Sequence, residues 1–334
     1  MWLRGLCLLL FFQTAVFSLD ADLESFLQTQ HVPGLSVALI TSGNIIRMQG
    51  VGKASLDPPK FAAYDTVYDI GTVTQWITAV GVLQLVDAKK IELDGKIGQY
   101  LTTVPDAWLG VTIRHLLSHT SGLPDYRDEP RFSPHQAVLQ KTLIQSVAKK
   151  PVKQPGKEWK LSATNYVLLA QLIEKISGKL YTDYLQESVI QKAGLSHTFF
   201  PSSAHGIKSR AKGYAGDMAM PLEVSPNQQT ALNVFAGLES TAEDLAIWTQ
   251  AFFSEGLLSN EMRDAFLQPV QLNAKDSFPV GMAGMRVFKD HSIQVMGAVP
   301  GYTTVVRYFP LLRSGIMMIA NRQDVDFSGL LDTQ

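Results

Sequence analysis

The segment His119-Thr120-Ser121-Gly122 places a histidine beside two hydroxyl side chains. A histidine next to a serine is the pairing that a general base and a nucleophile need in acyl transfer. The same residue types are also typical of a helix end, where an imidazole and hydroxyl groups hydrogen-bond the last carbonyls of the helix. We therefore expect this segment to support the fold and not to attack a substrate.

Strand-like segments lie near both ends of the chain. Leu35–Ile40 and Ile45–Gly50 flank the sequence Thr41-Ser42-Gly43-Asn44, which is typical of a β-hairpin turn. Further strands are predicted at Gly284–Phe288, Tyr302–Phe309 and Gly315–Ala320. The two hairpin strands should share one antiparallel sheet with the last two of these segments.

Helical patterns fill the region between these strands. Apolar residues recur at helical spacing from Thr74 to about Lys89, and similar patterns cover Leu19–Gln30, Val167–Ile176, Tyr181–Gln191 and Thr241–Phe253. This order predicts an α/β fold of the α+β sandwich type. Its antiparallel sheet, formed from both chain ends, is flanked by helices and carries an inserted, mainly helical domain. The sheet part spans about residues 19–70 and 280–334, and the mainly helical part about 71–279.

Residues 1–18 have the pattern of a secretory signal peptide, with Arg4 before the apolar run Gly5–Phe12. That run is shorter than the roughly 20 residues of a membrane-spanning helix. We expect cleavage near Ser18, which leaves a single domain over residues 19–334 without a stable membrane span. The sequence thus predicts a secreted protein, extracellular or periplasmic.

The composition excludes several classes of function. Lys and Arg number 29 against 30 Asp and Glu, so the net charge of -1 offers no field for nucleic acid or an acidic membrane. The one cysteine, Cys7, lies in the predicted signal peptide. The mature chain would therefore have no disulfide, no cysteine nucleophile and no thiolate metal site. We expect no cofactor, and a small-molecule or peptide-like ligand as the partner.

The segment Thr112–Tyr126, with the sequence TIRHLLSHTSGLPDY, resembles the most recognisable signature of the serine β-lactamase and penicillin-binding protein family. The resemblance extends to class C β-lactamases, D-Ala-D-Ala carboxypeptidases and related esterases, and matching elements run from about Val32 to Asn321. It implies the fold predicted above and hydrolysis through an acyl-enzyme. It also implies that the histidine segment buttresses the fold.

The family's Ser-x-x-Lys motif corresponds here to Thr72-Val73-Thr74-Gln75, between Asp69-Ile70-Gly71 and Trp76. The hydroxyl of such a motif needs a base one helical turn further on. Thr72 keeps a hydroxyl, although its methyl group restricts χ1. Gln75 carries an amide, which cannot take a proton near neutral pH. A structural alternative makes Thr72 a helix cap and Gln75 a solvated or hydrogen-bonded helix residue.

The other two motifs are altered as well. Tyr-x-Asn corresponds to Leu161-Ser162-Ala163, which lacks both the phenol and the amide, and Ser162 alternatively serves as a turn or helix-start hydroxyl. Lys-Thr-Gly or His-x-Gly corresponds to Val295-Met296-Gly297, where Gly297 still permits a close backbone approach. His291 would lie on the same strand face about 13 Å away, as a surface histidine. We call the three segments that correspond to these family motifs, taken together, the motif site.

The leading hypothesis is a catalytically impaired or inactive, secreted homologue of these serine hydrolases that keeps a ligand cleft at the motif site. Thr72, Leu161 and Gly297 should then converge on one cleft. One alternative is an active hydrolase, an esterase, peptidase or β-lactamase, that uses Thr72 as its nucleophile. Another is a structural or protein-binding module without an open cleft.

Overall fold

The structure is a computed structural model that describes residues 22–130, 140–201, 209–216, 221–222, 233–272 and 277–331. The predicted signal peptide lies outside these residues. The helices are α1 (residues 22–29), α2 (Thr74–Asp87), α3 (Ile113–Leu117), α4 (Gln140–Val147), α5 (Ala163–Ser177), α6 (Tyr181–Leu185), α7 (Asn233–Ala236), α8 (Ala242–Phe253), α9 (Asn260–Leu267) and α10 (Ser328–Leu331). Short 3-10 helices cover Gly71–Val73, Ile97–Gln99, Asp106–Trp108, Tyr126–Asp128 and Met282–Gly284.

The strands are β1 (Gly34–Thr41), β2 (Asn44–Leu56), β3 (Pro59–Phe61), β4 (Tyr68–Asp69), β5 (Gly213–Tyr214), β6 (Pro221–Leu222), β7 (Glu239–Ser240), β8 (Val270–Gln271), β9 (Ser277–Phe278), β10 (Arg286–Val287), β11 (Ile293–Val299), β12 (Tyr302–Phe309) and β13 (Ser314–Ala320). Seven of them form one sheet in the order β10-β11-β12-β13-β1-β2-β3. All of its pairings are antiparallel, and β1 pairs with β13 from Leu35 opposite Ala320 to Ile40 opposite Gly315. The predicted sheet made from both chain ends is therefore confirmed.

The hairpin between β1 and β2 turns through Ser42 and Gly43. Their φ angles are 51° and 80°, so both central residues adopt the left-handed region. That is the conformation of a type I′ turn, whose twist matches that of the flanking strands. The predicted hairpin is confirmed, and β2 continues well past the predicted end at Gly50.

The sheet is covered on both faces. On one face, Leu23 and Phe26 of α1 and Leu330 of α10 pack on Val37, Val305 and Met318. On the other face, Ala38, Val306 and Met317 join the main core, to which Trp248 and Phe252 of α8 belong. Alternate residues of each strand point to opposite faces of the sheet. Because both faces are buried, the residues that point to either face are mainly apolar.

The helical part is built around α2 and α5. Eleven of the fourteen residues of α2 are buried, so this helix runs through the interior and does not lie on the surface. α5 ends at Gly178, whose φ of 72° gives the left-handed cap that glycine favours. Within the part of the chain that the structure describes, no helix has both the length and the apolar character to cross a membrane.

Two details differ from the sequence prediction. The predicted strand Gly284–Phe288 is only the two-residue β10, because Met282–Gly284 forms a 3-10 turn in which Ala283 has a φ of 55°. His291 is exposed, as expected, but it lies in the turn before β11 with a φ of 63° and not on a strand face. Strand alternation therefore does not place its side chain.

Asn321 joins the end of β13 to β1 and β2. Its buried side chain accepts a hydrogen bond from Gly34 N at 2.9 Å and donates to the carbonyls of Lys53 at 3.0 Å and Ala54 at 3.2 Å. Because Asn321→Ala removes all three of these hydrogen bonds, we expect it to lower the free energy of unfolding by about 2–4 kcal/mol. Urea denaturation measures this loss. The half-buried Gln323 supplies a control, and equal midpoints for Asn321→Ala and Gln323→Ala would contradict the assignment.

Candidate functional site

The loop that carries Thr72 lies directly against strand β11. A Cβ atom on Gly71, whose φ is 56°, would stand 2.8 Å from the Ala298 nitrogen. A Cβ atom on Gly297 would overlap the carbonyl oxygen of Ile70. Both positions therefore require glycine, and the close backbone approach expected at Gly297 is present. The first and third motifs meet through this contact.

Thr72 does not cap α2. It lies in the 3-10 turn Gly71–Val73, and its hydroxyl donates to the Met296 carbonyl at 3.0 Å. The cap at the start of α2 has no side-chain hydrogen bond, so the alternative interpretation of Thr72 as a helix cap is wrong. The hydroxyl proton is directed to a carbonyl oxygen, which hydrogen-bonds it but cannot remove it.

Gln75 is fully buried and contacts the histidine of the segment that we first considered. Its Oε1 lies 2.8 Å from His119 Nε2. Gln75 is therefore a hydrogen-bonded helix residue, and the alternative of a solvated one is wrong. The structural role that we expected for His119 is present, but no sequence pattern predicts that its ring contacts a motif residue.

The hydrogen bonds of His119 determine where its proton lies. The Ser162 backbone amide, which can only donate, lies 3.2 Å from His119 Nδ1. Nδ1 must then be the acceptor, so the proton is on Nε2 and Gln75 presents its oxygen to it. Asn165 Nδ2 also lies 3.2 Å from Nδ1, while Ser121 donates to Asn165 Oδ1 at 2.6 Å.

His119 is not available as a general base. Burial, with a smaller contribution from the nearby charge of Arg127, lowers the pKa of His119 to about 3. Its acceptor nitrogen already receives the Ser162 amide, and its other nitrogen donates to Gln75. The ring therefore stays neutral and fully engaged at physiological pH.

The second motif stands at the start of α5. Leu161 is partly buried, Ser162 is buried at the residue before the helix, and Ala163 is the first helical residue. The Ser162 hydroxyl does not cap the helix. Asp125 does so from a distant turn, because its Oδ2 accepts from Ala163 N at 3.1 Å. His119 thus connects the first motif, through Gln75, to the second.

The third motif lies within β11, where successive residues face opposite sides of the sheet. Val295 is 2% exposed and joins the main core, whereas Met296 is 48% exposed on the opposite face. Gly297 is buried against Ile70 and Val73. The backbone carbonyl of Met296, through its hydrogen bond to Thr72, and the close approach at Gly297 both reach the first motif.

Three buried polar atoms near His119 have no hydrogen-bond partner within the described residues. They are Gln75 Nε2, Ser162 Oγ and Trp159 Nε1. The Trp159 ring stands edge-on to His119, with centroids 6.1 Å apart. Buried donors are normally satisfied, so these atoms require an acceptor that the described residues do not supply. Trp159 was not among the predicted site residues, because its indole matches no motif position.

Two carboxyl groups lie beneath the Thr72 loop. Asp69 and Glu239 stand opposite each other in the β4 and β7 pair, and Arg210 forms an ion pair with Glu239. Burial raises the pKa of Asp69 to about 8; Glu239 adds to this rise, and the Gly71 amide and Arg210 oppose it. Burial also raises the pKa of Glu239. Asp69 Oδ1 accepts from Gly71 N at 2.9 Å, so it holds the loop beside Thr72.

Three cavities lie elsewhere in the described residues. One of about 220 Å³ has His115, Thr120, Gln268 and Met282 in its wall, and the others adjoin Phe288. None of these three is lined by Thr72, Leu161 or Gly297. The motif site is therefore defined by its hydrogen-bonding groups and not by one of these volumes. The described residues contain no group of three or more side chains suited to hold a metal ion.

Asp69 gives the stability of the protein a distinct pH dependence. Its pKa is about 8 in the folded chain and about 4 when unfolded, so between these values the folded state holds a proton that the unfolded state has released. The free energy of unfolding should fall as pH rises from about 4 to about 8, by up to about 1.4 kcal/mol per pH unit. Asp69→Asn should flatten this fall in urea unfolding at pH 5 and pH 8. Asp65→Asn, at an exposed carboxylate, should keep the wild-type slope, and equal slopes for all three proteins would contradict the assignment.

Comparison with known proteins gives consistent results. The sequence profile described as beta-lactamase matches residues 19–333. Penicillin-binding protein 4* of Bacillus subtilis is 26% identical over 313 residues, which are 87% of this chain and 69% of that protein. Protein flp of Staphylococcus aureus is 23% identical over 317 residues, and the chain spans only 62% of its length.

Among solved structures, the octameric penicillin-binding protein homologue from Pyrococcus abyssi superposes with a TM-score of 0.80 at 23% identity. The match covers 93% of this chain and 74% of that one. The Pyrococcus abyssi protein therefore shares the fold described above. The chain belongs to the beta-lactamase family, the serine β-lactamase and penicillin-binding protein group.

Proposed function

We propose that this chain is a secreted member of the family that binds a small carbonyl-bearing or peptide-like molecule at the motif site without hydrolysing it. The observation that carries the proposal is the arrangement around His119. It engages Gln75 in a hydrogen bond and leaves buried donors on Gln75 and Trp159 without acceptors. Such a site can bind an acceptor group, while neither Gln75 nor His119 can serve as a base for the Thr72 hydroxyl.

The lack of a base follows from the chemistry of the contacts. Thr72 donates to a backbone carbonyl, Gln75 has no basic nitrogen, and His119 is neutral with both nitrogens engaged. Loss of a general base alone usually lowers a rate by about 10²–10⁴. Leu161 and Val295 bring no proton donor or charge to the other two motifs. The alternative in which Thr72 attacks a substrate is therefore disfavoured, because neither Gln75 nor His119 can accept its proton.

The alternative of a purely structural module is disfavoured by the same buried donors. A site kept only for packing would gain from apolar residues at positions 75 and 159, because an unsatisfied buried donor costs about 1–3 kcal/mol. A ligand acceptor group offsets that cost. Secretion rests on the pattern of residues 1–18 and is part of the proposal.

Intact-mass measurement tests for turnover and acylation. After incubation of the wild-type protein with a fluorescent penicillin or an activated acyl ester, we expect no covalent adduct, since the Thr72 hydroxyl donates to a backbone carbonyl and not to a base. Thr72→Ala is the matched control, because it removes only the hydroxyl and the methyl group. An adduct or rapid hydrolysis that wild type shows and Thr72→Ala lacks would overturn the proposal.

The double substitution Thr72→Ser with Gln75→Lys should restore part of the chemistry. The introduced lysine would face the N–H group of His119 Nε2. This group donates a hydrogen bond and cannot accept one from an ammonium group, so the neutral amine form of the lysine is favoured. We expect slow acylation by the penicillin or the ester, followed by accumulation of the acyl-enzyme, because Leu161 and Val295 supply nothing for deacylation. Thr72→Ser alone should stay unmodified. A folded double variant that forms no adduct would contradict this interpretation.

A further inference from the structure

We infer that the protein has a second ligand site, a cavity between α3 and α9 that binds a small amide. The cavity has a volume of about 220 Å³ and is lined by residues of both helices and of the segments that follow them. Its wall contains no residue of the motif site, so the inference does not rest on the proposed function. Two polar side chains of the wall, His115 and Thr120, define what the ligand must carry.

Apolar side chains form part of the wall. They are Ala265 of α9, Pro269 and Val270 after it, and Met282. Met282 is buried and Ala265 packs against the main core, so the fold holds both in place. An apolar wall of this kind takes the carbon skeleton of a small molecule, and a few polar groups orient that molecule.

The first polar group is the ring of His115, whose hydrogen bonds fix the position of its proton. The Thr112 backbone amide, which can only donate, lies 3.2 Å from His115 Nδ1. Nδ1 is therefore the acceptor, and the proton of the neutral ring is on Nε2. Burial lowers the pKa of His115; Asp94 opposes this effect and Arg114 adds to it. The ring is accordingly neutral at pH 7.

The Nε2 proton of His115 has no acceptor among the described residues. A Cβ atom on Gly156, whose φ is 79°, would stand 3.3 Å from this nitrogen. Because the position carries a glycine, no side chain of residue 156 covers Nε2. The Gly156 amide donates to the Thr120 carbonyl at 2.7 Å, which holds this turn beside the cavity. The wall thus offers one N–H donor to a ligand.

The second polar group is the hydroxyl of Thr120, which has only its acceptor function left. Ser118 Oγ donates to the Arg114 carbonyl at 2.7 Å, so its one proton is used there. The hydroxyl oxygens of Ser118 and Thr120 lie 2.9 Å apart, and the proton between them must then come from Thr120. No other group of the described residues donates to Thr120 Oγ1. The wall therefore offers an acceptor beside the donor.

A small amide matches both groups at once. Its carbonyl oxygen accepts from His115 Nε2, and its N–H donates to Thr120 Oγ1. The Thr120 amide bonds the His115 carbonyl at 2.9 Å, so the two residues belong to the same turn of the chain. A ring lactam carries a carbonyl and an N–H on neighbouring atoms, and its methylene groups suit the apolar wall. Lactams are therefore the simplest probes of this class.

NMR titration of the wild-type protein at pH 7, labelled with nitrogen-15 in the histidine rings, tests the site. The probes are ε-caprolactam and ε-caprolactone, which differ in an N–H group that is replaced by an oxygen. We expect the lactam to shift the His115 resonances saturably and to bind at least about fivefold more tightly than the lactone, which cannot donate to Thr120. Unshifted His115 resonances, or a shift confined to His119 of the motif site, would overturn the inference.

The His115 resonances are assigned by their absence from the spectrum of His115→Gln. Glutamine keeps an acceptor for the Thr112 amide in the capping box at the start of α3, so this variant should fold. Thr120→Val then tests the amide contact, because it removes the hydroxyl and nearly keeps the shape. The preference for the lactam over the lactone should disappear in this variant and persist in Thr120→Ser. A folded Thr120→Val protein with the wild-type preference would contradict the assignment of an amide.

An anion is the competing class of ligand for this cavity. Arg114 of the wall is bound at two points by Asp94, at 2.7 Å and 2.9 Å, and the oxygens of an anion would face the lone pairs of Thr120 Oγ1. Inorganic phosphate is therefore titrated beside the two cyclic probes. We expect it to bind more weakly than the lactam. Tighter binding of phosphate at the His115 resonances would overturn the assignment of an amide.

A variant that fills the cavity decides the location independently of the polar contacts. Ala265→Leu extends a larger side chain from the wall, so the lactam affinity should fall at least about tenfold. Ala251→Leu is the matched control, because Ala251 is likewise a partly buried helical alanine packed against the main core but lines none of the three cavities. It should bind the lactam as the wild type does. Equal affinities in both folded variants would place the lactam elsewhere and refute the inference.

Discussion

The hydrogen bond from the Ser162 backbone amide to His119 Nδ1 is the constraint on which the polar arrangement of the motif site depends. An amide cannot accept, so this contact fixes the proton on Nε2. Nε2 in turn requires an acceptor, which Gln75 supplies through its oxygen. The Gln75 nitrogen is thereby directed away from the ring, where it meets no partner among the described residues. One backbone contact thus determines the tautomer, the amide orientation and the unsatisfied donor.

The scaffold around the three motifs is kept although the motifs are altered. Gly71 and Gly297 still hold the Thr72 loop against β11, and Asp125 still caps α5. These positions depend on backbone geometry, which tolerates few residue types. The catalytic positions depend on side-chain function, so they can change without loss of the fold. The chain keeps the fold of the family, and we propose that it has replaced the proton-transfer groups.

Much of the fold could be predicted because its signals are local or periodic. The Ser42-Gly43 turn, the run of strand-forming residues in β12 and the glycine after α5 each specify their element without distant contacts. The site could be predicted only as motif positions. That His119 contacts Gln75, or that Trp159 stands beside it, depends on tertiary packing of segments distant in sequence, which no spacing rule contains. The shortening of β10 by the positive φ of Ala283 could not be predicted from the sequence either, because alanine rarely adopts a positive φ.

The pairing of β1 with β13 has a consequence for how the chain is made. Leu35 lies near the start of the chain and its neighbour in the sheet, Ala320, lies near the end, so most of the chain is synthesised between them. Synthesis proceeds from the N-terminus, so the β1 and β2 hairpin leaves the ribosome with one edge of β1 open while the helical part is produced. An open apolar edge is a site for pairing with other chains. Long-range closure of this kind is slow, so the hairpin must be kept from pairing wrongly until the last strand of the sheet is made.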